Sequence, residues 1–333
     1  MLYITTRSRH DAHTAHRTLC SERAPDEGLY VPFKMVQLDR KQVMELGQMS
    51  FGQCVADTLN QFFATSLTGW DVEFCIGRYP AKIEDVGHRI LAAQTWHNLV
   101  ADYAWTEKTL AEHICGSSMP REGATGWVKI AIRIGFLTGV FGELIRKGVA
   151  DPEHPVDVSV PTGDFSIPMS VWYARQMGLP IANIICSSEE NDSVWDLFHF
   201  GTVKTEEPLP EHLERLVCGA LGQEECARFA QICAMQEEYS LLGTNLEKLR
   251  KGMFASVISK DRLLSTIPSV YRTRDYILGP ATALAYSGLL DYRAKNGENR
   301  TALLLAERSP MCDCDFVARV MNMTVPEIRA KIK

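Results

Sequence analysis

Residues 156–188 read VDVSVPTGDFSIPMSVWYARQMGLPIANIICSS, a segment that places a loop and a helix pattern between two apolar β-branched runs. The runs at 156–160 and 181–186 are rich in Val and Ile, which predicts two strands. Between them, Pro168 falls in the first turn of the predicted helix and Gly178 ends it. A strand, a loop, a helix and a strand at this spacing predict a right-handed βαβ unit with parallel strands.

The loop at 161–166 lies where the first predicted strand ends and the helix begins. Such a loop offers free backbone N–H groups and the positive end of the helix dipole, which suits a phosphate or another anion. The loop holds one glycine, Gly163, and the residues favour a second interpretation equally: Asp164 or Ser166 caps the helix with its own side chain. Both interpretations stay open at this point.

Further predicted elements lie on both sides of this unit. A second βα unit follows it, with a helix at 280–294, a strand at 301–306 and a last helix from 313. The preceding part contains a strand at 1–5, a long buried helix at 127–148, and helices near 10–21, 51–62, 82–95 and 105–114. We predict that 157–161, 181–186 and 301–306 are adjacent or near-adjacent parallel strands of one sheet, with the loop at its carboxyl edge.

The composition is that of a globular chain: 333 residues, with 46% hydrophobic and 23% charged side chains. It excludes disordered, collagen-like and low-complexity classes. Lys and Arg number 35 against 41 Asp and Glu, a net charge of −6 without a basic run, so we expect no nucleic-acid or membrane partner. No apolar run reaches the ~18 residues of a membrane span. The N-terminus lacks the apolar region of a secretory signal, and we expect a cytoplasmic protein.

The ten cysteines form no CxxC pair, and we interpret them as reduced thiols that serve as small hydrophobic residues. Two groups have ligand-like spacing: Cys312 with Cys314, and the cluster His10, Asp11, His13 and His16. A closed metal site needs about four ligands, and the histidines lie in a polar stretch where solvated side chains are the simpler interpretation. We therefore predict no metal site.

Several motifs, in the same order along the chain, resemble those of threonine synthases. VPTGDFSIP, ARQMGLPI and ENDSVWDLFHFG are similar to the family's VPTGNFGN, AKxMGLPI and ENDxL…FxxxG segments. MLYITTR and APDEGLYVP resemble its amino-terminal YxSTRG and APDGGLYVP. The segments WVKIAIRIGFLTGVF, PEHLERLVCGALG and GPATALAYSGLLDYRAKNGENRTALLLAERSP match its INWARIxPQxxYYF, PSNxERLLFxLxG and DPHTAVG…YRxxTGENxxxVxLATAHP regions. The family's enzymes use pyridoxal phosphate (PLP) to convert O-phosphohomoserine and water to threonine and phosphate.

The resemblance implies an α/β fold of the tryptophan-synthase-β-like type, PLP fold type II. We expect an open, mostly parallel sheet with helices on both faces and a mainly helical N-terminal region. The implied organisation is a threonine synthase-like N-terminal region at 1–115, a linker at 116–125 and a large domain at 126–333. The family has a small sub-domain where the linker stands. We expect the surface uncovered by its absence to be covered by the segment 82–123 or by a partner chain.

The sequence departs from the family at its catalytic lysine. Matching the TLA of the family's GPTLAFKD motif to the TLA of EKTLAEH puts His113 at the Schiff-base position, and histidine cannot form that linkage to PLP. Lys108 is five residues earlier and points elsewhere on a helix. The family's SGDTG loop, which holds the substrate carboxylate, has no counterpart in the chain.

The cofactor-binding positions differ as well. The family's phosphate loop aligns with Gly163, Asp164, Phe165, Ser166 and Ile167, so a carboxylate stands where an amide should face the phosphate. The serine also restricts how closely the backbone approaches an anion. At the pyridine-nitrogen position the chain has Glu307. Its carboxylate could pair with a protonated pyridine nitrogen, but we expect a solvated residue just past a strand.

These departures favour a homologue that has lost threonine synthase activity, retains no cofactor and acts as a non-catalytic or regulatory protein. One alternative is a PLP-dependent lyase or another enzyme of amino-acid metabolism that still uses the old crevice, with His113 as acid or base. A third hypothesis is a subunit that associates with an intact homologue or with its own copies.

Overall fold

The computed structural model describes residues 1–77, 81–96, 103–116, 126–189, 193–206 and 209–332. A six-stranded sheet forms its centre. Its strands are β4 (Lys82–Gly87), β5 (Ile90–Gln94), β6 (Val156–Pro161), β7 (Ile181–Ser188), β10 (Met253–Val257) and β11 (Ala302–Ala306). The spatial order is β10-β7-β6-β11-β5-β4, and every neighbouring pair is parallel except β4 with β5. The predicted adjacency of 157–161, 181–186 and 301–306 in one parallel sheet is therefore confirmed.

Two hydrophobic cores cover the two faces of this sheet. Because strand side chains alternate between faces, Leu303 and Leu305 of β11 belong to one core, whereas Ala302 and Leu304 belong to the other. The first core includes α6 (Gly126–Arg146) and α7 (Ser166–Met177), and the second includes α12 (Lys260–Arg274), α13 (Pro280–Asn296) and α14 (Cys314–Met321). The predicted fold class, an open and mostly parallel α/β sheet with helices on both faces, is confirmed.

The N-terminal part packs on α6. It contains a small antiparallel sheet of β1 (Leu2–Thr5), β2 (His13–Thr14) and β3 (Tyr30–Pro32), with α1 (Ala15–Cys20), α2 (Arg40–Glu45), α3 (Phe51–Phe63) and α4 (Gly69–Ile76). Ser50 caps α3 through a reciprocal pair of hydrogen bonds with Gln53, as the sequence predicts for the N-cap. Trp127 joins the two parts, because its buried indole donates to the Tyr3 hydroxyl at 3.0 Å.

The remaining elements lie outside the central sheet and include a separate two-stranded antiparallel sheet. They are α5 (Tyr103–Cys115), α8 (Ser193–Phe200), β8 (Thr202–Lys204), α9 (Leu213–Leu221), α10 (Gln223–Met235), β9 (Glu238–Ser240), α11 (Thr244–Leu249) and α15 (Val325–Lys331). Within the described ranges, no helix is long and apolar enough to cross a membrane. No group of three or more His, Cys, Asp or Glu that could hold a metal ion occurs among the described residues.

The helix predicted at 82–95 is wrong, because this segment is the β4–β5 hairpin at the edge of the sheet. The reversal depends on His88 and Arg89, which both have positive φ, at 54° and 60°. Two consecutive residues of this kind form the tight turn that matches the twist of a hairpin. The described part of 82–123 thus extends the sheet at 82–94 and adds α5, whereas 97–102 and 117–123 lie outside the described residues. The domain boundaries at 115 and 126 stay a prediction.

Candidate functional site

The loop at 162–165 lies at the carboxyl end of β6 and leads into α7, as the sequence predicts. A turn closes it, with the amide of Phe165 donating to the carbonyl of Thr162 at 2.9 Å. Phe165 has a left-handed backbone, with φ of 66°, which costs a non-glycine residue roughly 1–2 kcal/mol. Its side chain is fully buried in the core, and this burial offsets the strain. Packing of the Phe165 side chain therefore contributes to holding this loop conformation.

Asp164 supplies the negative charge of the loop. One carboxylate oxygen accepts hydrogen bonds from the backbone amide of Ser166 at 2.9 Å and from its hydroxyl at 2.5 Å. The other oxygen accepts from Lys129 Nζ at 2.5 Å. Burial opposes this charge, but the hydrogen bonds from Lys129 and Ser166 outweigh it and hold the pKa of Asp164 below its usual range. The carboxylate thus takes the first backbone donor of α7, although the N-cap residue of this helix is Phe165, whose side chain makes no capping hydrogen bond.

Arg133 links the loop to the end of β11. Its Nε and Nη2 donate to the carboxylate of Glu307 at 3.1 and 3.2 Å, and its Nη1 donates to the Ser166 hydroxyl at 3.2 Å. The arginine side chain is 9% exposed and that of Glu307 is 15% exposed. The expectation of a solvated Glu307 is therefore wrong, because α6 brings a buried guanidinium against it.

Glu107 completes the arrangement from α5. Its carboxylate lies 3.5 Å from Arg133 Nη1, and only 9% of its side chain is exposed. Burial raises the pKa of Glu107 to about 7, and the charges of Arg133 and Lys129 moderate the rise. We call Glu107, Lys129, Arg133, Asp164, Ser166 and Glu307 the edge cluster.

Sequence reasoning missed three members of the edge cluster: Glu107, Lys129 and Arg133. A usable signal existed for the last two, because charged residues inside the apolar helix of 127–148 need a partner when the helix is buried. For Glu107 the signal is weaker. It lies on the same helical face as the buried Leu110 and Ala111, three and four residues on.

His113 is not part of this arrangement. It is exposed in the last turn of α5. Six residues separate it from Glu107, which turns it away from the helical face that meets Arg133. Lys108 is also exposed and lies 4.0 Å from Glu112. The structure therefore brings the loop of 163–167 together with Glu307 and leaves His113 and Lys108 outside.

The space enclosed beside the edge cluster is small. A cavity of about 10 Å³ lies between Arg133, Glu307, Thr95 and Ile167, and one water needs at least about that volume. The buried Thr95 hydroxyl in its wall has no hydrogen-bond partner among the described residues. These residues do not fit PLP, because the guanidinium crosses the space between the loop and the residue at the pyridine-nitrogen position.

A larger cleft of about 740 Å³ opens on the outer side of the loop. Among the described residues, its lining includes one lysine, Lys204, and five carboxylates: Asp164, Asp196, Glu206, Glu211 and Glu238. An anion entering this cleft meets mainly negative charge, so the cleft disfavours a phosphate ester.

His212 lies beneath the loop, where its backbone amide donates to the carbonyl of Asp164 at 3.3 Å. Its imidazole is buried and hydrogen-bonded to the guanidinium of Arg215. Burial and the arginine charge lower the pKa of His212 to about 2, so the ring is neutral across the physiological range. This histidine is a structural acceptor and cannot serve as a proton donor at neutral pH.

Comparison with known proteins gives partial sequence matches. A family profile described as the threonine synthase N terminus matches residues 2–78. Human threonine synthase-like 1 is 27% identical over 187 residues, which is 51% of this chain and 25% of that protein. The threonine synthase of Pseudomonas aeruginosa is 25% identical over 183 residues, 51% of this chain and 38% of that protein. The match thus spans between a quarter and two fifths of these relatives' length.

Comparison with solved structures covers nearly the whole chain. A PLP-bound threonine synthase from Brucella melitensis superposes with a TM-score of 0.79 at 16% identity, over 96% of this chain and 91% of that one. Yeast threonine synthase gives a TM-score of 0.78 at 15% identity, over 96% and 90%. At these identities the likeness establishes the fold, which is that of the PLP fold type II threonine synthases.

Proposed function

We propose that this chain is a divergent threonine synthase-like protein that has lost the PLP-dependent conversion of O-phosphohomoserine to threonine. It acts as a non-catalytic, regulatory homologue in the cytoplasm, alone, as a homo-oligomer or with an intact homologue. The observation that carries the proposal is the pair of contacts by which Arg133 joins Glu307 to the Ser166 hydroxyl.

The contacts of Arg133 with Glu307 and Ser166 occupy the space that we propose a cofactor would need. Seating PLP would require Arg133 to leave two buried carboxylates, Glu307 and Glu107. Breaking a buried ion pair in this way costs about 3–5 kcal/mol, because the remaining charge is uncompensated. The pair therefore stabilises the closed arrangement against the cofactor.

The negative charge of the loop also opposes binding of the cofactor phosphate. A phosphate dianion at the start of α7 would lie beside the ionised Asp164, which already accepts from the Ser166 amide. Two unit charges 4 Å apart repel by about 1 kcal/mol in water and about 4 kcal/mol at the effective dielectric of a protein surface. The Asp164 carboxylate thus already accepts from the backbone donor at the start of α7.

Lys129 needs a separate test, because it is a lysine that reaches the loop. Its Nζ lies 2.5 Å from Asp164 Oδ2, so the lysine is held in an ion pair with the loop. The chain offers a matched control in Lys108, which is exposed and remote from the loop.

The deciding experiment measures cofactor retention and turnover in the same preparations. The chain, Lys129→Ala and Lys108→Ala are incubated with PLP, desalted and recorded by visible absorbance, and phosphate release from O-phosphohomoserine is followed. We expect no retained visible band and no release above a protein-free blank for all three. A retained band that Lys129→Ala removes and Lys108→Ala keeps would overturn the proposal.

A second candidate function follows from Glu107. A carboxyl group with a pKa near 7 beside a guanidinium is a typical acid–base group, so the crevice could still support an enzyme that needs no PLP. The sequence pointed to His113 for this role, but that residue is exposed on the outer face of α5. Phosphate release without PLP that Glu107→Gln abolishes and His113→Ala preserves would establish this candidate.

A further inference from the structure

A second polar cavity, of about 80 Å³, lies at the end of β5 and is separate from the edge cluster. Thr95 lines the small cavity beside the edge cluster, whereas Gln94 and Trp96, its neighbours in the chain, line this one. Ile277 in its wall belongs to the core on the α12 side of the sheet, and Leu305 in the wall of the other belongs to the core on the α6 side. The two cavities therefore lie on opposite faces of the sheet. We call this one the hairpin cavity, because residues of the β4–β5 hairpin line it.

Two hydrogen-bond donors in the wall of the hairpin cavity are available to a ligand. The side chain of Trp96 is 9% exposed, and its indole nitrogen is buried without a hydrogen-bond partner among the described residues. A buried indole N–H usually finds an acceptor. The side-chain amide of Gln94 donates to the Tyr276 hydroxyl at 3.0 Å, which leaves the phenol proton for another acceptor. The wall thus favours a ligand that brings an acceptor, such as a carboxylate.

The solvent-facing part of the wall carries charges of both signs. Two exposed cations, Arg274 and Lys331, line the cavity. Three carboxylates line it as well: Glu84, Asp85 and Asp275. A ligand with only negative charge would meet the carboxylates, and a ligand with only positive charge would meet the cations. A ligand that carries both charges can place each one against its opposite.

Both cations are held in position by neighbouring side chains. The guanidinium of Arg274 donates to Nε2 of His88 at 3.0 Å. It also lies against Gly87, where the Cβ of any other residue would overlap it. The ammonium of Lys331 lies 5.2 Å from the centre of the Tyr271 ring, which attracts a cation. Because these contacts exist without a ligand, less side-chain freedom is lost when one binds.

The volume of the hairpin cavity limits the size of the ligand. One water needs about 10–15 Å³ of such space, so the cavity has room for about five to eight non-hydrogen atoms. An α-amino acid between glycine and threonine in size has that number of atoms. A nucleotide or PLP is too large, because sites for molecules of drug size usually enclose about 300 Å³ or more.

We propose that the hairpin cavity is a binding site for a free α-amino acid with a small side chain. The ligand's carboxylate accepts from the Trp96 indole and the Tyr276 hydroxyl, and Arg274 and Lys331 stabilise its charge. The ammonium group of the ligand lies toward Glu84 and the other carboxylates of the wall. The inference is independent of the proposed loss of PLP binding, because no member of the edge cluster lines this cavity.

The test is a calorimetric titration of the full chain with millimolar glycine, L-alanine, L-serine and L-threonine. L-Lactate replaces the ammonium group of alanine by a hydroxyl, and ethanolamine is serine without its carboxylate, so these two are the matched control ligands. We expect at least one of the four amino acids to bind about tenfold or more tightly than both controls, because each control lacks one charged contact. Absence of binding by all four, or equal binding of lactate or ethanolamine, would overturn the proposal.

Variants locate the binding site within the chain. Trp96→Phe keeps an aromatic ring but removes the N–H, and we expect it to weaken amino-acid binding about tenfold. Trp70→Phe is its control, because Trp70 is 62% exposed on α4 and should not affect binding. Glu84→Gln and Lys331→Gln remove one charge of each sign, and each should weaken binding several-fold, whereas Lys34→Gln in an exposed loop should not. Unchanged affinity in both Glu84→Gln and Lys331→Gln would refute the site even if Trp96→Phe fails to fold.

Discussion

Arg133 holds together the edge cluster, and at the scale of single residues its removal has the largest expected effect. Arg133→Met keeps the aliphatic stem but leaves Glu307 and Glu107 without their buried cation. We expect the free energy of unfolding to fall by about 3–5 kcal/mol, because an uncompensated buried charge remains. Urea denaturation at pH 7.5 measures this loss.

The partner substitution provides the control. Glu307→Gln added to Arg133→Met removes one of the stranded charges, so the double variant should recover part of the lost stability. An exposed pair serves for comparison: Lys41 lies 3.5 Å from Glu45 with 85% of its side chain exposed, and Lys41→Met should change stability little. Equal losses for Arg133→Met and Lys41→Met would contradict the buried role.

The raised pKa of Glu107 predicts an unusual pH dependence of the chain's stability. Its pKa rises from 4.5 to about 7 on folding, because burial disfavours the carboxylate, while Arg133 and Lys129 favour it and Glu307 and Asp164 oppose it. Between these two values the folded chain binds more protons than the unfolded chain, so this group's contribution to stability falls as pH rises from about 4.5 to 7. We expect Glu107→Gln to remove that fall. The difference in free energy of unfolding between the variant and the unmodified chain should therefore be more favourable to the variant at pH 8 than at pH 5, by on the order of 1–3 kcal/mol. If denaturation shows the same stability difference between the variant and the unmodified chain at both pH values, the prediction is wrong.

Residue pairing is the part of the site that the sequence predicts least. The loop of 163–167 and Glu307 could be located because motifs carry them, but Arg133 and Glu307 are 174 positions apart. Their contact depends on how α6 crosses the end of β11, which local patterns do not encode. Glu307 was expected to be solvated because it opens the polar run ERSP after a strand, a composition typical of an exposed turn.

The β4–β5 hairpin carries the first prediction at the scale of elements. Arg89 has φ of 60°, a conformation that costs a side-chain-bearing residue about 1 kcal/mol or more. Arg89→Gly should therefore raise the free energy of unfolding by about 0.5–1 kcal/mol, although a weak 3.4 Å contact with the Thr301 hydroxyl is lost. Lys34→Gly is the control, because Lys34 is an exposed loop residue without positive φ, where glycine should be neutral or destabilising. A loss of stability in Arg89→Gly would contradict the turn geometry.

The second prediction at the scale of elements concerns the loop at 162–165 and α7. Asp164→Asn with Ser166→Gly restores the family's residues at these two positions and removes both the internal anion and the hydroxyl that Arg133 contacts. We expect stability to fall by about 1 kcal/mol, because a cap is lost, and phosphate affinity to rise, because the backbone donors of α7 are freed. Melting temperatures with and without millimolar phosphate measure both effects. Strong stabilisation of the unmodified chain by phosphate would show that the loop still binds its anion.

Strands and helices were predicted where composition and geometry agree. The β-branched runs of β6 and β7 and the Pro168 and Gly178 boundaries of α7 follow local preferences, and these elements are confirmed. The hairpin at 82–94 is hard to predict from the sequence because its turn, His88-Arg89, lacks the Asn or Gly that usually announces a two-residue hairpin. Tertiary pairing of β5 with β11 outweighs the local preference there.

At the scale of the whole molecule, the fold and the site carry different information. The carboxyl edge of the parallel sheet is where this architecture places ligands, and the central sheet has the order β10-β7-β6-β11-β5-β4. At that edge, charged side chains satisfy one another: Lys129 pairs with Asp164, and Arg133 pairs with Glu307. In the part of the chain that the structure describes, a threonine synthase-like fold thus carries a loop whose backbone donor and carboxylate are already paired, as the proposed loss of PLP binding predicts.

This arrangement predicts that PLP does not stabilise the chain as a whole. A ligand that binds only the folded state at 100 times its Kd adds about 2.7 kcal/mol, which raises the melting temperature of a chain of this size by several degrees. Here the ligand would have to displace Arg133 and face Asp164, so we expect 100 µM PLP to leave the melting temperature within about one degree of its ligand-free value. Pyridoxal, which shares the aldehyde but lacks the phosphate, is the matched control for reaction with surface lysines. A rise with PLP that pyridoxal does not reproduce would show that the phosphate is recognised, and the edge cluster would then have to open in solution.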